Sequence, residues 1–411
     1  MSSYKIFTRD LSKIFGANIV TKVIGFLIII IISRTLTVDE FGDFELLSTF
    51  FLLTLDFSDF GTSVSLVDYI SKNKSRRYEI LSTILIFKIL IVLTLGLFVL
   101  VLAEEITLFI FNDTSYLNII LLIPLGVFIN SILNLLFAFL QSIENFKDLA
   151  KYQIIISIIK ILLIITLVYF FNEPSLIYLI SIIIFTPLAV LVPLIFNNLK
   201  VYTFFEKKII LDVYKVGLWI FISSILVMFT IRIDIFMIEK LSDDLNGVGY
   251  FALALKINTL FVLFINSISS VILPRINEFI QENSINDYRK MLYKLKWILI
   301  LVLLIIVISM PILINGFFGE KYNNSILSAQ ILTISIFFSF YASTLGVLFV
   351  NKLKTKYLTF LNFTQLILVV ALNFILIPII GIEGSAISLF LMRLLGYLFI
   401  EYKTSIMQYG T

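Results

Sequence analysis

The chain has 411 residues, 60% of them hydrophobic and only 14% charged, with a formal net charge of +4 and a mean hydropathy of +1.07. A soluble domain is about half apolar and about a quarter charged, so a water-soluble globular fold is excluded. There is no cysteine and no histidine, which removes disulfides, thiol chemistry and the commonest catalytic base and metal ligand.

Apolar segments of about 20 residues, each able to cross a bilayer, recur along the whole chain. Twelve spans are expected, near 14–35, 44–69, 79–103, 115–141, 152–171, 175–197, 213–238, 247–273, 295–315, 324–350, 356–379 and 383–402. No ten-residue alternation marks a β-barrel, so the expected fold is an all-α polytopic membrane protein. The start, "MSSYKIFTRDLSKIF", is polar and basic and runs straight into a full-length span. No cleavable signal sequence is expected there.

Several spans carry charges where hydrocarbon makes them costly. In span 1, Asn18, Thr21, Lys22 and Gly25 follow the i, i+3, i+4, i+7 spacing of one helix face. Span 2 holds Asp56 and Asp59 three residues apart, with Ser63 four further on. Lys88 in span 3 and Lys160 in span 5 stand among aliphatic residues and are expected to snorkel to the interface. Span 7 contains Arg232 and Asp234 inside "MFTIRIDIFMIEKL" (228–241). Two apart on a helix, these residues point to different sides and serve different neighbours. Span 8 places Lys256 on a face with Thr259, Asn266 and Ser270. Arg393, in span 12, has no polar stripe beside it and receives no role. The striped faces fit either a water-filled cavity or charge pairs between helices. In the second case a carboxylate or water must partner each lysine, with Asp56 and Asp59 as the nearest candidates.

Lys and Arg segregate by side. Of the 31, 22 lie in the termini and the even-numbered loops, three (Arg34, Lys240, Lys321) in the odd-numbered loops and six within spans. The positive-inside rule then places both termini in the cytoplasm. A duplication is visible as well. "EFGDFELLSTFF" (40–51) enters span 2 as "GVGYFALALKIN" (247–258) enters span 8, with Gly42 aligned to Gly249. Two six-helix bundles, 1–200 and 201–411, related by a parallel pseudo-two-fold repeat are expected. Transporters built from repeats hold their substrate where the repeats meet.

Six stretches, in order, resemble the polysaccharide biosynthesis transporters, which include O-antigen flippases, of the multidrug/oligosaccharidyl-lipid/polysaccharide exporter superfamily. They are "SRTLTVDEFGDFELLSTF" (33–50), "DFGTSVSLVDYISKNK" (59–74), "RIDIFMIEKLSDDLNGVGYFALALKI" (232–257), "ILPRINEF" (272–279), "FFGEKYNNSILSAQIL" (317–332) and "IPIIGIEGSAIS" (377–388). The resemblance implies alternating access around a central cavity lined by helices 1, 2, 7 and 8. It implies a lipid-linked sugar as cargo, with basic residues meeting its pyrophosphate, and it puts Asp234 at the family's acidic position.

The resulting expectation is a non-enzymatic flippase. It moves an undecaprenyl-pyrophosphate-linked oligosaccharide from the cytoplasmic to the outer leaflet of the cell membrane for O-antigen, capsule or exopolysaccharide synthesis. Lys22, Lys256, Arg232 and Asn18 are the expected cargo residues. Asp56, Asp59 and Asp234 are the candidates for coupling to a proton or sodium gradient. No metal or cofactor is expected. The partners are the lipid-linked oligosaccharide, the bilayer and other polysaccharide-assembly proteins, with no nucleic acid. Two alternatives stand beside this reading. An ion-coupled multidrug exporter requires an acidic, aromatic cavity, against which Lys22 and Lys256 speak. A membrane polysaccharide polymerase requires a large hydrophilic catalytic loop, and no loop exceeds roughly 25 residues.

Overall fold

The computed structural model describes residues 2–171, 174–198, 205–262, 285–350 and 356–409. Among these there is no strand. Fifteen helices account for nearly all of them: α1 (Ser2–Thr35), α2 (Val38–Asp59), α3 (Thr62–Lys72), α4 (Arg77–Val101), α5 (Ala103–Phe111), α6 (Leu117–Ser142), α7 (Phe146–Phe170), α8 (Leu176–Phe185), α9 (Leu188–Asn198), α10 (Lys207–Leu241), α11 (Gly247–Val262), α12 (Ile285–Phe317), α13 (Ser325–Val350), α14 (Lys356–Ile380) and α15 (Ile382–Tyr409). Among the described residues, eleven helical segments are long and apolar enough to cross a membrane, α2 with α3 and α8 with α9 each forming one of them. The eighth span is described only as α11. Its second half, with Asn266, Ser270 and the 272–279 motif, lies outside the described residues. The protein is thus an all-helical, multi-pass membrane protein of two repeated halves. The helical solution follows from the solvent: in hydrocarbon every backbone N–H and C=O must be satisfied within the segment.

The described chain divides into two compact units, Met1–Leu36 with Leu46–Met228, and Thr37–Glu45 with Phe229–Thr411. The first unit is organised around α6, whose Ile120, Ile123, Leu135, Leu136, Phe139 and Leu140 are fully or almost fully buried. A helix apolar on all sides belongs in a core, and α3, α4 and α8 surround this one, while α1 packs along α7. The α8–α9 span bends at Thr186–Pro187, where the proline cannot continue the hydrogen-bond ladder. Asn130 of α6 repairs the bend by donating Nδ2 to the Ile184 carbonyl at 3.0 Å. Close approach at that point depends on Gly126, since a Cβ there would enter the Ile184 side chain.

Span 2 contains a second break, which the sequence reading missed. Helix α2 ends at Asp59, Phe60 and Gly61 take left-handed φ values of 47° and 72°, and α3 restarts at Thr62. Left-handed backbone is easy for glycine and uncommon for phenylalanine. Hydroxyls take up the carbonyls released by the break: Ser58 donates to Leu55 O and Thr62 to Asp59 O, both at 2.6 Å.

In the second unit α15 packs on α13 and α14 through small residues. Gly384 touches the backbone of Leu376 and Ile377, and Ser385, Ala386 and Ser388 are fully buried. Small side chains let membrane helices approach this closely. The first turns of α2 also belong to this unit. They begin with a capping box: Glu40 Oε2 accepts from Thr37 N at 2.8 Å, and Thr37 Oγ1 accepts from Glu40 N at 3.2 Å. Gly42 then meets Gly249 of α11, where a Cβ on Gly42 would stand 3.0 Å from the Gly249 nitrogen. The two aligned glycines of the duplicated motif therefore touch each other.

Candidate functional site

Charged and polar side chains gather at four places within the spans. The first is the break in span 2. Lys88 of α4 is completely buried and gives Nζ to Asp59 Oδ1 at 2.9 Å and to Thr62 Oγ1 at 3.0 Å. Ser63 donates to the same carboxylate oxygen. Snorkelling of Lys88 is thereby corrected: its ammonium turns inward because the broken helix presents a carboxylate and a hydroxyl at its reach. The Asp59 side chain keeps 33% exposure. Asp56, one turn earlier, is exposed, so Asp59 is neutralised by Lys88 rather than opposed by Asp56. Below the break, a cavity of about 450 Å³ is lined by Ser63, Asp68, Ser71 and Gln141 among apolar neighbours. Hydroxyl, carboxylate and amide groups on one wall can exchange hydrogen bonds with the hydroxyls of a sugar.

The second place is the stripe on α1. Asn18 and Lys22 are exposed, and a Cβ built on Gly25 would meet nothing within 4 Å. Among the described residues Lys22 makes no hydrogen bond or ion pair, although it lies within the apolar span Gly16–Thr35. Lys160, on α7, is half-buried.

The third is a pair in the second unit. Lys256 Nζ of α11 meets Glu45 Oε2 at 2.8 Å, with the Glu45 side chain 2% exposed and that of Lys256 30% exposed. The sequence named Asp56 and Asp59 as candidate partners for this lysine; the carboxylate that meets it is Glu45. The Glu45 carboxylate sits near a ring cluster in which Phe41 and Tyr250 pack edge-on against Tyr322, at centroid distances of 5.8 and 6.5 Å. Tyr322 lies outside the spans, and burial, with Glu45 adding to it, pushes its phenol well above the usual value. It stays a neutral hydroxyl. Lys256→Ala is expected to lower stability by about 3 kcal/mol, the low end for a broken buried pair because the ammonium is partly wet. Glu45→Ala in the same protein should recover much of the loss. Thermal unfolding of detergent-extracted protein reads both.

The fourth is a buried network. Asp234 of α10 is fully buried and its Oδ1 accepts from Asn373 Nδ2 of α14 at 2.6 Å and from Ser385 Oγ of α15 at 3.0 Å. Arg393, two turns beyond Ser385, attracts Asp234 electrostatically and donates to Ser335 Oγ of α13 at 2.7 Å and to Asn258 Oδ1 of α11 at 3.3 Å. Asp234 therefore ties span 7 to its neighbours, and Arg393 gains the account the sequence withheld. Arg232 is half-buried. Asp234 Oδ2 and Asn373 Oδ1 find no hydrogen-bond partner among the described residues. Asn258, Ser335, Asn373 and Ser385 were missed in the sequence. Their only signal is an amide or hydroxyl inside an apolar helix, and these four are not distinguished there from the many Ser and Thr that bond their own backbone.

This all-helical fold is shared with solved transporters of the multidrug/oligosaccharidyl-lipid/polysaccharide superfamily. A lipid II flippase MurJ in an inward closed conformation aligns with a TM-score of 0.76 and 17% identity, over 95% of this chain and 87% of that one. An inward-facing multidrug resistance MATE family transporter aligns at 0.70 and 15%, over 93% and 99%. A transporter of the same superfamily from Pyrococcus furiosus, described as having a binding pocket of reverse polarity, aligns at 0.64 and 14%, over 97% and 96%. At these identities the likeness concerns the fold. Residues 7–280 match the model of a family described as polysaccharide biosynthesis protein, and the chain belongs to that family. No protein of curated function matches.

Proposed function

We propose that the protein flips a polyprenyl-pyrophosphate-linked oligosaccharide from the cytoplasmic to the outer leaflet of the cell membrane, by alternating access and without breaking a bond. The observation that carries this reading is Lys22, an exposed cation within an apolar span of a polysaccharide biosynthesis protein. A pyrophosphate carries two or more negative charges, and a cation in a low-dielectric wall raises its local concentration and steers it. Asn18 one turn away supplies an amide to the same group. The hydroxyl- and amide-lined cavity beside α3 supports the sugar end of the reading. Lys256 and Arg232 remain cargo candidates of lower rank, Lys256 because cargo must displace Glu45 from it.

Coupling to a proton or sodium gradient rests on Asp59 before Asp234 or Asp56. Asp59 is partly exposed and bridged to Lys88, so a cation arriving from water can compete for it. The buried Asp234 is reached only by opening the network around it. Multidrug export has the same fold in its favour but requires an anionic wall for cationic drugs, which Lys22 opposes. The products implied are O-antigen, capsule or exopolysaccharide, assembled with other proteins of that synthesis.

Deletion of the gene, followed by extraction of lipid-linked intermediates, tests the function. Accumulation of a complete lipid-linked repeat unit is expected, whereas unchanged lipids with a raised drug sensitivity favour the exporter. The orientation is tested separately: reporter fusions after residues 75, 205 and 285 should be cytoplasmic and those after 110 and 244 external. An external reading at 285 contradicts the topology.

A further inference from the structure

A groove of about 390 Å³ runs between α12 and α13 in the second unit, apart from every cluster described above. Its walls are Ile300, Leu303, Leu304, Val307 and, from α13, Ile334, Phe337 and Phe338; the one charged lining residue is Lys296 at its mouth. Leu304 is 52% and Ile334 45% exposed, and Leu301, Ile305 and Ile308 beside them are more exposed still. This is a membrane-facing surface, so the occupant comes from the bilayer.

The two ends of the groove differ in chemistry. At the mouth, Tyr293 and Trp297 are each 62% exposed, at the start of the apolar span that opens at Leu292. Aromatic residues so placed mark the headgroup level. Lys296 stands at that depth with its ammonium 5.9 Å from the Tyr293 ring and in no ion pair among the described residues. At the deep end the cause is Pro311. Lacking an N–H, it cannot bond the carbonyl four residues back, and Gln330 of α13 donates to that carbonyl, Val307 O, at 3.0 Å. From Lys296 to Val307 the helix rises about 16 Å, about half the 30 Å hydrocarbon core. The slot is therefore one leaflet deep, cationic at the headgroup, apolar along its length and closed at the midplane.

We propose that this groove binds an anionic phospholipid of the bilayer, with its phosphate on Lys296 and one acyl chain along Ile300, Leu303, Val307 and Phe337. A polyprenyl chain, far longer than one leaflet, overruns the slot. A polar headgroup without net charge leaves the ammonium uncompensated.

Native mass spectrometry of the full chain, released from vesicles of equimolar phosphatidylglycerol and phosphatidylcholine, tests the site. One phosphatidylglycerol is expected to stay bound. Lys296→Gln should reduce its retention about fivefold, as expected for one basic residue at an anionic surface, and Lys296→Arg should preserve it. Leu304→Trp, which fills the slot without touching the charge, should also reduce retention, and Lys294→Gln, outside the lining, should not. Equal retention by the native protein and Lys296→Gln overturns the proposal, as does preferential capture of polyprenyl phosphate when that lipid is added. Both outcomes are independent of whether the protein flips an oligosaccharide.

Discussion

Asp234→Ala is expected to lower stability by about 3–5 kcal/mol, the largest effect of any single substitution considered. The physical reason is asymmetry: a buried polar contact adds little net stability, but removing the carboxylate leaves two donors and a nearby cation uncompensated away from water. Here the stranded group is Arg393, half-buried on α15 and left, among the described residues, with Ser335 and Asn258 once the carboxylate is gone. Asn373 and Ser385 lose their common acceptor at the same time. The protein level after detergent extraction should fall and the unfolding temperature with it. Adding Arg393→Met to Asp234→Ala removes the second charge and should restore much of both. No recovery in the double variant would show that Asp234 and Arg393 are not energetically coupled.

Lys22→Ala is expected to leave the fold intact and to reduce export about tenfold or more, the worth of one hydrogen bond to a charged group. An exposed side chain that makes no hydrogen bond or ion pair among the described residues contributes little to stability. The contrast with Asp234 is the point. Lys22→Arg keeps the charge and should keep part of the transport, because charge on the pyrophosphate matters more than the shape of the cation. Surface polysaccharide and protein level, measured on the same cells, separate lost transport from lost protein. Undiminished export from Lys22→Ala at normal expression would move the anion-binding role elsewhere.

The spans and the duplication were legible because they rest on strong, local signals. Twenty apolar residues announce a membrane helix, and Gly42 and Gly249 mark corresponding entries into helices. The glycines were read as a repeat, and their contact in the second unit gives that repeat a steric reason. The polar pairs were not legible. Lys88 and Asp59 are 29 residues apart, Asp234 and Ser385 151 apart, and each lies in a helix whose periodicity reports only lipid and core. A charge neutralised by another helix looks, in sequence, the same as one that snorkels. Lys88 was assigned to the second kind for that reason. Glu45 was overlooked because it stands at the start of a span, where a carboxylate needs no partner. The break at Phe60–Gly61 escaped because Gly61 lies among residues compatible with an unbroken helix.

The most direct test of the central claim is flipping by the purified protein. Liposomes carrying a fluorescent polyprenyl-pyrophosphate oligosaccharide are reconstituted with the full chain, and a membrane-impermeant reductant bleaches only the outer leaflet. Protein-free liposomes lose about half the signal, the share of one leaflet, and this account predicts that active liposomes lose nearly all of it, with Lys22→Ala close to the protein-free level. Bleaching that stays at half with well-folded native protein, in the presence and absence of proton and sodium gradients, would contradict it.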